Sequence, residues 1–440
     1  MTDIDAICAR AREAALAMAP LPGEDRAAAL SAMAESLESA SEEILGANAE
    51  DVGASEVQVA RGEMSRPLLK RLELDEGKVR EMAEGVRAVA ALPDPLGRVG
   101  YAVLLDEGLR LRRVSCPIGV VAAVFESRPD ALVQIASLCL KSGNASILKG
   151  GREAACTNRL LAGILSRAAS GRGKVPPAAL QLVEAREDVL ALLSRHDAID
   201  LIVPRGSNEF VRYVKEHSRI PVLGHADGIC HLYVDRAAEM EMAVALALDA
   251  KTQYPAVCNA VETLLVHKDA APTYLPRAAE ALRARGVELR GCERTRAILR
   301  DAAPASEEDW RTEYLDLILS VRVVESLEEA VAHINRYGSR HTEAIVTSDE
   351  GAARAFLARV DAASVMWNAS TRFADGYRYG LGAEVGISTD KVHARGPVGL
   401  EGLVTYKYQL AGEGHCVSEY SGEGARPFLH RSLPLDGETA

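Results

Sequence analysis

The chain has 440 residues, 48% of them hydrophobic and 26% charged, with a formal net charge of −12. That profile fits a globular protein of two or three domains, and its acidic surface excludes nucleic acid and anionic membrane as general partners. Eight cysteines without a C-x-x-C pair or a tight Cys/His cluster argue against a structural zinc site and suit a reducing compartment.

The first stretch, Met1-Thr2-Asp3-Ile4-Asp5, is acidic and resembles neither a secretory signal nor a transit peptide. Residues 4–89 read as helices, with apolar residues at three- and four-residue spacing, as in Ala28, Leu30, Met33 and Leu37. Residues 101–114 alternate around Asp106-Glu107-Gly108, which reads as a β-hairpin leaving the main domain, as an oligomer contact would. The longest apolar run, 114–125, is too short to span a bilayer, so a cytoplasmic location is expected.

From residue 118 strands and helices alternate. Strands are expected at 118–125, 145–149, 180–184, 199–203 and 220–223, with helices at 130–141, 153–169, 188–196 and 208–216 between them. Strands that are apolar throughout imply a parallel sheet covered on both faces, with ligands at its carboxyl edge. A second series follows, with strands at 231–235, 261–267, 287–290, 315–324, 343–347 and 364–368. Residues 373–402 read as loop, 403–409 as one more strand, and the tail after Gly412 as mobile.

Several segments carry chemistry, and each has an ordinary alternative. Cys258 lies on a connection just before the strand at 261–267, where a thiol is rigid yet reachable; taken alone, the stretch favours a small buried core residue. Arg205-Gly206-Ser207-Asn208 joins a strand to a helix and offers free N–H groups to a phosphate, or is a plain capped turn. Lys149-Gly150-Gly151 ends a strand, where a lysine reaches a ribose, a phosphate, or only solvent. Ser127 and Arg128 follow the first parallel strand and could meet an oxyanion and an anion. Asn368, Ser370, Thr371 and Arg372 crowd donors onto a loop that could read an amino acid. His341 reads as a structural hydrogen-bonder. No G-x-G-x-x-G is present.

Taken together, FESRPDA, CLKSGNASILKGGREA, QYPAVCNAVETLLVH, HINRYGSRHTEAIVT and NASTRFADGYRYGLGAEVGIST resemble the aldehyde dehydrogenase superfamily. Within it the match is closer to the gamma-glutamyl phosphate reductase (glutamate-5-semialdehyde dehydrogenase) branch, over residues 118–406. The resemblance implies an α/β fold of two parallel-sheet domains with a small β oligomerisation excursion. It divides the chain into a dinucleotide-binding domain (1–98 and 116–228), the excursion (99–115 and 403–412), a catalytic domain (229–402) and a tail (413–440).

It also implies Cys258 as nucleophile, Ser127 in place of the oxyanion-stabilising Asn of hydrolytic members, and Lys149, Gly206, Ser207 and Glu313 at the cofactor. Arg152 would meet a 2′-phosphate and favour NADPH over NADH. Arg128, Asn368, Ser370, Thr371 and Arg372 would hold the substrate. Hydrolytic members carry a water-activating Glu where this chain has Val222, in Pro221-Val222-Leu223-Gly224-His225. The implied reaction is therefore NADPH-dependent reduction of L-glutamate 5-phosphate through a cysteine thioester, without a metal, in proline biosynthesis. Glutamate 5-kinase would be the functional partner, and a homo-oligomer, dimer or tetramer, the assembly. A hydrolytic or CoA-acylating dehydrogenase and a non-catalytic α/β binding protein are the alternatives.

Overall fold

A computed structural model of the chain describes residues 3–126, 128–171, 174–185 and 187–435. Its opening helix, Ile4–Met18, shows why the N-terminal region is helical. The Asp3 side chain accepts from Ala6 N at 3.0 Å as an N-cap, and Ile4, Ile7, Cys8, Ala11, Ala14, Ala15 and Met18 form one buried stripe. Four more helices, Gly23–Ser39, Ser41–Ala60, Arg66–Leu72 and Glu76–Ala91, follow. All but Arg66–Leu72 share a core with a four-stranded parallel sheet ordered Leu180–Leu182, Ala145–Lys149, Val120–Phe125, Leu201–Arg205. Every residue of Val120–Phe125 is buried, each large side chain contributing about 1.5–3 kcal/mol of transfer free energy.

Register aligns the carboxyl ends of three of these strands. Val124 pairs with both Lys149 and Pro204, and Phe125 with Arg205. Lys149 and Arg205 therefore end neighbouring strands on one edge. The strand expected at 220–223 is only an isolated bridge between Val222 and Ile202; Pro221 lacks the N–H that a longer ladder needs.

The second domain is a seven-stranded parallel sheet ordered Ala303–Pro304, Glu288–Gly291, Ile318–Val324, Val261–His267, Cys230–Val234, Thr342–Val346, Ser364–Trp367. Separate apolar clusters pack against this sheet. The short helix Glu293–Ile298 was not anticipated from the sequence.

Two regions expected to be irregular are built. Within 373–402 the strands Gly386–Ser388 and Gly396–Val398 form an antiparallel hairpin. The tail does not trail away, because Arg431–Ser432 pairs with Val99–Asp106. It completes an antiparallel sheet ordered Val404–Ala411, Leu109–Pro117, Val99–Asp106, Arg431–Ser432. Both segments are too short to give a periodic signal, and the partner of the tail strand lies far away in sequence. Among the described residues, no helix is long and apolar enough to cross a membrane.

Candidate active site

The helix Met240–Thr252 ends just before the loop that carries Cys258, and Val261–His267 starts just after it in the middle of the large sheet. A rigid helix and a buried strand thus fix both ends of the loop. A Cβ at Gly228 would lie 2.1 Å from Cys258 O and 2.5 Å from its Cα, so only glycine fits there. Cys230 Sγ donates to Cys258 O at 3.2 Å, and Asn259 Nδ2 donates to Ala374 O at 2.9 Å. Cys258 itself is half-buried. Burial pushes its thiol up to about 12; Glu313 and Glu384 act in the same direction, and Arg205 opposes them.

Two imidazoles stand beside the thiol. One ring nitrogen each of His225 and His341, together with Cys258 Sγ, lie within 4.8 Å of one another. The rings meet edge to face at 4.7 Å. His225 Nδ1 lies 2.9 Å from Ile387 O, while His341 Nδ1 lies 2.8 Å from Thr342 Oγ1 and its Nε2 is buried with no partner. Burial holds both rings below the usual imidazole range.

Glu313 bridges the two domains. Its carboxylate accepts from Asn208 Nδ2 at 2.7 Å and from Gly228 N at 2.9 Å. Burial raises its pKa. Asn208 opens the helix Asn208–His217, whose cap is Ser207. Ser207 N donates to Glu126 Oε2 at 2.9 Å, and a Cβ on Gly206 would come within 2.6 Å of that same oxygen. Lys149 is buried at its strand end. Arg152 opens a short 3₁₀ turn, strongly exposed, 3.8 Å from Glu187.

Arginines gather on the remaining side. Arg205 lies across the hairpin, where a Cβ on Gly386 would meet its Nη1 at 2.8 Å. Burial lowers its pKa, and Arg128, Glu384 and Cys258 are within electrostatic reach. Arg372 is buried, bonds Gln253 Oε1 through Nε at 2.9 Å, and feels the charge of Cys258. Arg128 is half-exposed and paired with Asp130 at 3.0 Å. Asn368 instead serves the backbone: its amide bonds both Thr347 N and Thr347 O, from a backbone at φ 52°. Ser370 Oγ accepts from Arg372 N, and Thr371 Oγ1 is buried without a partner. Ser127 lies outside the described residues.

The structure thus brings Cys258, Glu313 and Arg372 together and puts Gly206 and Ser207 next to Glu313. It adds His225, Arg205 and Glu384, which the sequence reading did not single out. Arg205 directly precedes Gly206-Ser207 at a strand end, and that position was its available signal. His225 stands three residues after Val222, in a stretch read only for the acid it lacks.

The architecture is that of the aldehyde dehydrogenases, and the sequence model of the Aldehyde dehydrogenase family matches residues 1–295. The chain belongs to that family. It is 57% identical to the gamma-glutamyl phosphate reductase of Pelotomaculum thermopropionicum, over 99% of this chain and 98% of the relative. A Synechococcus sp. protein of the same name is 58% identical over 96% of this chain and 92% of its own. The solved structure of the Thermotoga maritima gamma-glutamyl phosphate reductase is 40% identical, with a TM-score of 0.91 over 94% of this chain and all of that one. An acetylating aldehyde dehydrogenase from Geobacillus thermoglucosidasius shares the fold at 16% identity and a TM-score of 0.65, covering 94% of this chain and 97% of its own. Within the family this chain is an oxidoreductase of the gamma-glutamyl phosphate reductase branch.

Proposed function

We propose that the protein reduces L-glutamate 5-phosphate to L-glutamate 5-semialdehyde, releasing phosphate, as a step of proline biosynthesis. The observation that carries this reading is the set of charges around the nucleophile. Cys258 faces Arg205 and Arg372, cations suited to an acyl phosphate and a carboxylate. The names of the full-length relatives support the same substrate.

Residues at the carboxyl edge of the four-stranded sheet fit a nicotinamide dinucleotide. Lys149 ends one strand, and Gly206-Ser207 opens a helix N-terminus where a Cβ on Gly206 would press on the Glu126 carboxylate. With Glu313 these would hold the cofactor, and the exposed Arg152 would favour NADPH. Such a cofactor supplies the hydride. The chain's own part is to attack, orient and shield. Cys258 Sγ attacks the acyl carbon and forms a thioester. The backbone N–H of Cys258, with Ser127, would receive the oxyanion. Val222 packs against the core of the nucleotide domain and offers no base to water, so the thioester exchanges with phosphate rather than being hydrolysed.

A kinase that phosphorylates the 5-carboxylate, glutamate 5-kinase, would supply the substrate in the cytoplasm. Assembly with further copies would use the edge strand Val404–Ala411, which exposes Tyr406, Tyr408 and Leu410. The test is reduction of NADP⁺ by purified protein with the semialdehyde. The reaction should require phosphate and vanish in Cys258→Ala and Cys258→Ser. Full activity without phosphate would restore the hydrolytic reading, and activity in the variants would remove Cys258 from the chemistry.

A further inference from the structure

Cys258 presents a problem that the family's usual parts do not solve. Its surroundings favour the thiol over the thiolate, yet only the thiolate attacks. The carboxylates in reach, Glu313 and Glu384, make ionisation harder, and the position that carries an acid in hydrolytic relatives is Val222. A proton acceptor must come from elsewhere.

We propose that His225 is the general base that takes the Cys258 proton, which makes a Cys–His pair in an aldehyde dehydrogenase fold. This inference rests on the reading of Cys258 as nucleophile given above. Three geometric observations support it. One ring nitrogen each of His225 and His341 lies within 4.8 Å of Sγ, a gap that closes directly or through one water. Ile387 O can only accept, so His225 Nδ1 carries the proton and Nε2 keeps its lone pair. His225 is half-buried and open to the site, whereas His341 is fully buried. His341 therefore acts as a positioning residue, its ring setting the plane of His225.

The groups that face His225 keep it in the basic form. Arg205, at the end of its strand, and Lys215, from the helix Asn208–His217, disfavour a second proton, and Asp227 partly offsets them. Neutral His341 packs edge-on, and Cys258 faces it from the large sheet's side.

The Sγ–C bond forms as the thiol proton passes to His225 Nε2. The C–O bond to phosphate breaks, and Nε2 returns that proton to the departing oxygen, so that hydrogen phosphate leaves and not the trianion. Hydride addition to the thioester carbon leaves a thiohemiacetal oxyanion, whose collapse breaks the C–S bond and frees the aldehyde. The Cys258 thiolate then takes a proton from solvent through the same imidazole. In the reverse direction His225 accepts the proton of incoming hydrogen phosphate.

The experiment compares Cys258 alkylation by iodoacetamide and phosphate-dependent turnover, each across pH, in the unmodified protein, His225→Gln and His341→Asn. His225→Gln should lower kcat/KM by about 100-fold or more, with its acid limb abolished. It should slow alkylation at pH 7, and added imidazole should restore part of both rates. His341→Asn should lose less and keep the limb. A His225→Gln protein with unchanged alkylation and an unchanged pH profile overturns the proposal, while leaving the nucleophile intact if Cys258→Ala is dead. Should His225→Gln fail to fold, diethylpyrocarbonate decides on the unmodified protein. Inactivation reversed by hydroxylamine and blocked by substrate supports the base; indifference to the reagent overturns it.

Discussion

The Lys251 ammonium lies 2.6 Å from the Glu262 carboxylate, and both side chains are fully buried. The other oxygen of Glu262 accepts from Leu315 N at 3.2 Å, two residues past Glu313. One ion pair therefore ties the helix before Cys258, the strand after it and the loop that carries Glu313. Breaking a buried pair leaves a charge without its partner, at a cost of about 3–5 kcal/mol. Lys251→Met should lose that much in urea unfolding at a pH above about 7, where Glu262 is ionised, and Lys251→Met with Glu262→Gln should regain a large part. A single variant within 1 kcal/mol of the parent (roughly the size of an ordinary surface change) would remove the pair from this role.

The same pair sets a pH dependence of unusual sign. Burial pushes Glu262 up to about 7 from 4.5, against the pull of Lys251. The folded state then holds a proton that the unfolded chain has released, so this group's stabilisation is complete below 4.5 and is lost as pH rises through about 7. The stability of the parent relative to Glu262→Gln should thus fall by about 2 kcal/mol between pH 5 and pH 7.5. Urea midpoints at the two pH values give the result, and a rise would contradict it.

Gly228 offers a test of nucleophile placement that removes no titrating group. Alanine there would meet the Cys258 backbone at 2.1 Å, and backbone cannot rotate away. Gly228→Ala should lower kcat by about 100-fold, the scale of a misplacement near 1 Å. Dinucleotide binding, followed by fluorescence, should change little. Unaltered turnover would mean that the loop tolerates the shift.

The arginines should separate into roles by kinetics. Losing a charge-assisted hydrogen bond costs about 1.5–3 kcal/mol, about ten- to a hundredfold in affinity. Arg205→Gln and Arg372→Gln should each weaken binding of an anionic substrate by that factor, and Arg128→Gln, half-exposed and already paired with Asp130, should do less. Equal losses in all three would argue for a diffuse field and against specific contacts.

The sequence made the alternation legible because buried parallel strands are short apolar runs between amphipathic helices. The strand 261–267 stands at its expected bounds. Cys258 stood out because it falls between a helix and such a strand. The hairpin of Gly386–Ser388 and Gly396–Val398 was hidden, since three residues give no periodicity. With it went the acceptor for His225 and the surface under Arg205. Glu262 was also opaque: alternation marked it as a strand residue, but its partner Lys251 lies on a different element, and only the fold brings them together. Asn368 shows the opposite case, a polar residue whose hydrogen-bonding capacity goes to Thr347 across the end of a strand.

The antiparallel sheet draws its strands from 99–117, 404–411 and 431–432. On the ribosome the hairpin emerges some three hundred residues before its neighbours. Until then both of its edges are open, in a nascent chain whose four-stranded parallel sheet is already out. This sheet is completed only after both large sheets in chain order, so termination between residues 400 and 404 would leave both large sheets beside an unsealed β-ribbon, a species prone to pair with its own kind.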